Sequence, residues 1–97
     1  MYILGIETSC DDTAAAIIKV EGGLNPAAAG FSVLSNVSYS QVAIHKKFGG
    51  IVPNLASRAH LEKIGPTIKK ALSTSDVDSK KIDLIAVTRG PGLLPSL

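Results

Sequence analysis

The segment Glu7-Thr8-Ser9-Cys10-Asp11-Asp12-Thr13 concentrates the chain's most reactive side-chain types in seven positions. It falls between two apolar runs, at a tight turn. Backbone N–H groups in such a turn can converge on an anion, and Thr8, Ser9 and Thr13 add hydroxyl donors. Asp11 and Asp12 would repel a bare phosphate. They make sense beside a metal, a metal-bound water or an amine nucleophile. The alternative is a plain Asx-rich hairpin turn.

Gly90-Pro91-Gly92 closes a second apolar run. Ligands of open α/β sheets bind outside the carboxyl ends of the parallel strands, and a glycine pair there lets a ligand approach the backbone. A plain turn is again the alternative. His45 and His60 fit no common zinc spacing. His60 reads as a helix-surface or satisfied, partly buried residue; His45 precedes a glycine loop and keeps a ligand role open. Cys10 has no second cysteine and no assigned base, so it reads as a small packed residue rather than a nucleophile.

The elements that must position these residues follow from hydrophobic spacing. Tyr2 to Ile6 is a short apolar run, a strand expected to be buried on both faces. Ala14 to Val20 is a second strand, and the two suit a hairpin. Glu21 to Gly30, with Gly22, Gly23, Asn25 and Pro26, reads as a surface loop. Phe31 to Ser40 alternates, with Phe31, Val33, Val37 and Tyr39 expected on one face; Leu34 and Ser35 disturb the pattern. Gln41 to Gly50 is a connector.

From Pro53 the period lengthens. Leu55, Leu61, Ile64, Ile68, Ala71 and Leu72 mark an amphipathic helix, with Pro53 suited to its first turn. Gly65-Pro66 is expected to kink or split it. Ser73 to Lys81 reads as a polar loop, Ile82 to Thr88 as another buried strand, and Leu93 to Leu97 as the start of a further helix. The order is strand, strand, strand, helix, strand, and the helical crossover implies parallel pairing somewhere in the sheet.

The 97 residues allow one domain at most, and a composition 45% hydrophobic and 19% charged argues against disorder. A net charge of +2 neither demands nor excludes nucleic acid. The pairs Lys46-Lys47, Lys69-Lys70 and Lys80-Lys81 read as solvated surface. One cysteine suits a reducing compartment. The opening residues carry no basic leader, and no apolar run approaches a membrane span, so a cytoplasmic protein without membrane association is expected.

Taken together, three blocks resemble the TsaD/Gcp family of tRNA threonylcarbamoyl-adenosine transferases. Gly5 through Ala14 looks like its opening signature. His45, Phe48-Gly49-Gly50-Ile51-Val52-Pro53, Leu55-Ala56-Ser57-Arg58 and His60 resemble its second block. Ile82-Asp83 and Thr88-Arg89-Gly90-Pro91-Gly92-Leu93 resemble its third. The resemblance implies an α/β fold of the actin-like ATPase type (ASKHA, RNase H-like). Residues 1–97 would form the N-terminal part of its first lobe, with a mixed sheet and the remainder of the fold absent. A sheet left with an unfinished edge is then expected.

The same resemblance implies transfer of threonylcarbamoyl from its adenylate to the exocyclic amine of the tRNA adenosine next to the anticodon. On that reading Asp11 is the catalytic carboxylate, and Ser9, Asp12, Gly90 and Gly92 hold the adenylate. The family's divalent metal, of iron or zinc type, is bound through a His-x-x-x-His pair beyond Leu97, so His45 and His60 do not inherit that role. The 97 residues alone are expected to be inactive, and TsaB-like and other subunits of the modification machinery are expected partners. Two other readings stand beside this one. A non-catalytic TsaB-like subunit would have no need of the Ser9–Asp12 turn or of the Gly49–Arg58 block. An ATP-dependent kinase of the same superfold would carry an Asp-x-Gly-type first loop where this chain has Glu7-Thr8-Ser9. A glycoprotein endopeptidase is unsupported, since there is no nucleophile–base pair and no His-Glu-x-x-His.

Overall fold

The structure, a computed structural model, describes residues 1–21 and 30–97. Four strands form one mixed sheet: β1 (Tyr2–Glu7), β2 (Asp12–Glu21), β3 (Gly30–Ser40) and β4 (Leu84–Val87), in the spatial order β3-β2-β1-β4. A one-turn helix α1 (Val42–His45) and a 3-10 turn at Lys46–Phe48 follow β3, where the sequence suggested only a connector. The long helix α2 (Pro53–Ser75) then crosses the sheet. Short 3-10 turns at Ser79–Lys81 and Leu94–Ser96 flank β4. The expected surface loop falls on residues 22–29, outside the described residues.

β1 pairs antiparallel with β2, Leu4 opposite Ile17, and parallel with β4, Leu4 opposite Ile85. The parallel pair is the one the helical crossover required. Alternation puts Leu4, Ala15, Ile17 and Val37 on one face, where they pack with Ala71 and Val77 into the core. The helix supplies Ala56, Ala59, His60, Thr67 and Ala71 to that contact. Three of these are alanines, and such short side chains let helix and sheet approach closely.

Several expectations need correction. First, the strand β1, expected to be buried on both faces, is fully buried only at Leu4, on the face that meets α2. Second, the alternating face of β3 is broken. Ile17 pairs with Ser35 but Ile18 pairs with Val33, so Leu34 is an extra residue in a bulge. One inserted residue reverses the alternation. Phe31 and Val33 therefore leave the core face, and both are exposed, Phe31 at 73%. Third, β4 is not buried, because α2 lies over β2 and β3 and, among the described residues, none shields β4; Ile85 and Val87 are exposed. Fourth, α2 runs through Gly65-Pro66 without a break. Pro66 withholds an N–H from the Glu62 carbonyl, but both residues lie on the exposed side, where water can bond that oxygen. Leu61, expected on the buried stripe, is on the same exposed side.

Candidate functional site

The acidic bend sits where β1 ends and β2 begins. Glu7 is the last residue of β1 and Asp12 the first of β2. β4, parallel to β1, ends beside it, so the carboxyl ends of both parallel strands open at one place, where the loops of open α/β sheets collect their ligands.

Three hydrogen bonds tie the bend to the segment after β4. The Glu7 carboxylate accepts from the Thr88 hydroxyl and, through its other oxygen, from the Ser9 amide. The Leu93 amide donates to the Ser9 carbonyl at 2.7 Å. The Thr8 hydroxyl donates to the Ser96 carbonyl at 2.6 Å. The Ser9 hydroxyl, then the Thr88 hydroxyl, then the Ser9 amide hold the Glu7 carboxyl below its ordinary value of 4.5. Glu7 is thus an ionised brace.

The other side of the bend is fixed from α2. His60 is buried; its Nδ1 lies 2.7 Å from the Thr13 hydroxyl and its Nε2 lies 3.0 Å from the Cys10 carbonyl. The Asp11 carbonyl accepts from the Gln41 amide at 3.0 Å. The Gln41 side chain extends this support. Its amide nitrogen donates to the Ala56 carbonyl in the first turn of α2, and its oxygen lies 2.8 Å from His45 Nε2. His45 Nδ1 accepts from the Val52 amide at 3.1 Å. His45 thereby closes the loop holding Gly49 and Gly50, and Gly49 takes the left-handed conformation, φ 70°, at the end of the 3-10 turn.

The sequence-derived residues divide among these surroundings. Ser9 and Gly92 are in contact: a Cβ on Gly92 would lie 2.7 Å from the Ser9 carbonyl oxygen. Gly92 is therefore a packing requirement under Ser9. Gly90 is exposed, and a Cβ there would meet nothing within 4 Å, so its backbone is open to approach. Asp12 is exposed at the start of β2. Asp11 faces elsewhere, into a hollow of about 370 Å³ shared with His45, Lys46, Gly49, Gly50 and Ile51. A carboxylate beside an accessible glycine backbone can accept a proton from, and orient, a small polar group.

Both histidines spend both ring nitrogens on intramolecular hydrogen bonds, so neither offers a free lone pair to a cation. Among the described residues no group of three His, Cys, Asp or Glu side chains is placed to hold a metal ion. Sequence reasoning did not assign the bracing roles of Glu7, Thr88, Thr13, Gln41 and His60. Their partners lie 47 to 81 residues away for the His60–Thr13 and Glu7–Thr88 pairs, and no local spacing signals them.

Comparison with known proteins matches residues 32–97 to the family described as TsaD: tRNA N6-adenosine threonylcarbamoyltransferase. A protein of that description from Caldicellulosiruptor saccharolyticus is 54% identical over all 97 residues, which cover 26% of it. Another, from Bacillus subtilis, is 50% identical over the same 97 residues, 25% of its length. The chain thus spans about a quarter of the length of the curated relatives it matches. Among solved structures, YeaZ from Pseudomonas aeruginosa superposes with a TM-score of 0.55 at 20% identity, over 98% of this chain and 32% of that one. That likeness concerns the fold alone, a mixed α/β sheet of the actin-like type.

Proposed function

Because this chain belongs to the TsaD family of tRNA N6-adenosine threonylcarbamoyltransferases, we propose that it forms one wall of the cleft in which threonylcarbamoyl passes from its adenylate to the exocyclic amine of a tRNA adenosine. Residues 1–97 make up the N-terminal part of the first actin-like lobe, and the opposite wall comes from sequence that the relatives have in addition. The supporting observation is the convergence of the Glu7–Asp12 bend with the Thr88–Leu93 segment at the carboxyl ends of β1 and β4.

The reaction is acyl transfer to a weak amine. It needs a proton acceptor near the amine, donors for the developing oxyanion, and fixed distances between them. Asp11 takes the first task from its place in the hollow beside Gly49 and Gly50. The adenylate approaches at Gly90, where the backbone is open, and along the exposed Asp12. Ser9, seated on Gly92, holds the bend against the β4 end and so aligns the two groups. The family's divalent metal, of iron or zinc type, would take its ligands outside these residues. The protein works in the cytoplasm, with TsaB-like subunits as partners.

The test is direct. A full-length protein carrying these residues is incubated with unmodified tRNA and threonylcarbamoyl-adenylate, and the digested nucleosides are resolved by mass spectrometry. Threonylcarbamoyladenosine is the expected product from the full-length protein and not from the 97 residues alone. Modification by the 97 residues without added protein would contradict the two-walled cleft.

A further inference from the structure

His60 is 5% exposed and works in two directions at once. Its Nε2 lies 3.0 Å from the Cys10 carbonyl. A carbonyl oxygen only accepts, so Nε2 carries the proton. In the neutral ring Nδ1 is then an acceptor, and the Thr13 hydroxyl, 2.7 Å away, donates to it. The tautomer is assigned from this network.

The two partners bracket Asp11-Asp12. Residue 10 is held by its carbonyl and residue 13 by its side chain, both from one ring on α2. Between them the Asp11 carbonyl is held by the Gln41 amide. The acidic dipeptide is therefore fixed at both ends and in the middle by groups on other elements.

We infer that His60 is a positioning residue for the transfer step: by binding the Cys10 carbonyl and the Thr13 hydroxyl together it sets where the Asp11 carboxylate stands in its hollow. This rests on the function proposed above. His60 touches no reactant in this role. An apolar residue of equal size would fill the gap between helix and sheet but leave the Cys10 carbonyl and the Thr13 hydroxyl unpaired. The two amide side chains separate the functions of the ring. Gln reaches as far as Nε2 and can donate to Cys10. Asn reaches only as far as Nδ1 and can serve Thr13 alone.

The experiment has two arms. Nitrogen NMR of labelled histidine in the wild-type chain is expected to show the Nε2-protonated tautomer at His60; the Nδ1-protonated form would overturn the assignment. In the full-length protein, His60→Asn is expected to lower kcat roughly 100-fold, the scale of a displacement of about 1 Å, with KM for tRNA unchanged. His60→Gln is expected to recover most of that loss at a similar melting temperature. Loss of activity that merely follows melting temperature in both variants would make His60 a packing residue and overturn the inference. If wild type shows no transfer, the proposed function fails, and the amide resonances of Asp11 and Asp12 decide positioning: His60→Asn must displace them and His60→Gln must leave them near wild type.

Discussion

Gly92→Ala tests the contact that joins the two strand ends. The added Cβ would lie 2.7 Å from the Ser9 carbonyl oxygen, 2.8 Å from its Cβ and 3.0 Å from its Cα. None of these atoms is the end of a flexible side chain, so Ser9 itself must move. Overpacking of this kind costs about 1–3 kcal/mol. Moving Ser9 also stretches the 2.7 Å bond from the Leu93 amide, worth about 1 kcal/mol net. Together these give about 2–4 kcal/mol, or a fall in Tm of about 10–25 °C for a chain of this size. Gly90→Ala is the control, because a Cβ there meets nothing within 4 Å; its effect should stay within about 0.5 kcal/mol. Urea and thermal melts followed by circular dichroism measure both. A Gly92→Ala protein that melts with wild type, or a Gly90→Ala protein that loses as much, would refute the steric reasoning.

Asp11→Asn in the full-length protein should cut transfer by about 100-fold or more while the melting curve is unchanged; near-normal turnover would remove Asp11 from the chemistry. Glu7 has a carboxyl held below 4.5 by Ser9 and Thr88. Its contribution to stability is therefore present above the unfolded-chain pKa and lost as pH falls through the lower folded value. Glu7→Gln should lower Tm at neutral pH and make the melting temperature less dependent on pH in the acid range, and parallel acid profiles for the two proteins would count against the brace. Gly65→Ala should stabilise by about 0.5–1 kcal/mol, since position 65 lies inside α2 with open space around it; a destabilised variant would show that the helix needs the glycine there.

Local spacing carried much of the fold. The apolar runs of β1 and β2, the turn between them, the start of α2 at Pro53 and the glycine-bounded end of β4 all lie where the sequence placed them. What it could not carry depends on neighbours distant in the chain. The bulge at Leu34 is decided by pairing with Ile17 and Ile18, so the expected apolar face of β3 divides between two sides of the sheet. A proline inside a helix costs less where the freed carbonyl faces solvent, and the exposure of Glu62 depends on which side of α2 meets the sheet. The apolar run of β4 reads as buried in sequence, yet its four residues are exposed, because burial depends on what packs over them. In the site, residue types and turn signals marked Ser9, Asp11 and Gly92. The bonds that place them, from His60, Gln41 and Thr88, have no signature at short range.

The tethers from Thr8, Ser9 and Glu7 to Ser96, Leu93 and Thr88 set the order in which this part of the molecule can assemble. During synthesis the bend leaves the ribosome some eighty residues before these partners. Closing so long a stretch is entropically slow compared with winding α2 or zipping the β1–β2 hairpin. The helix and the antiparallel strands therefore form first, and the Glu7–Ser9 side of the bend acquires its final geometry only when β4 docks beside β1. A nascent chain interrupted before Thr88 would have its sheet and helix, and the Cys10–Thr13 side of the bend held by His60 and Gln41, yet leave its Glu7–Ser9 side untied.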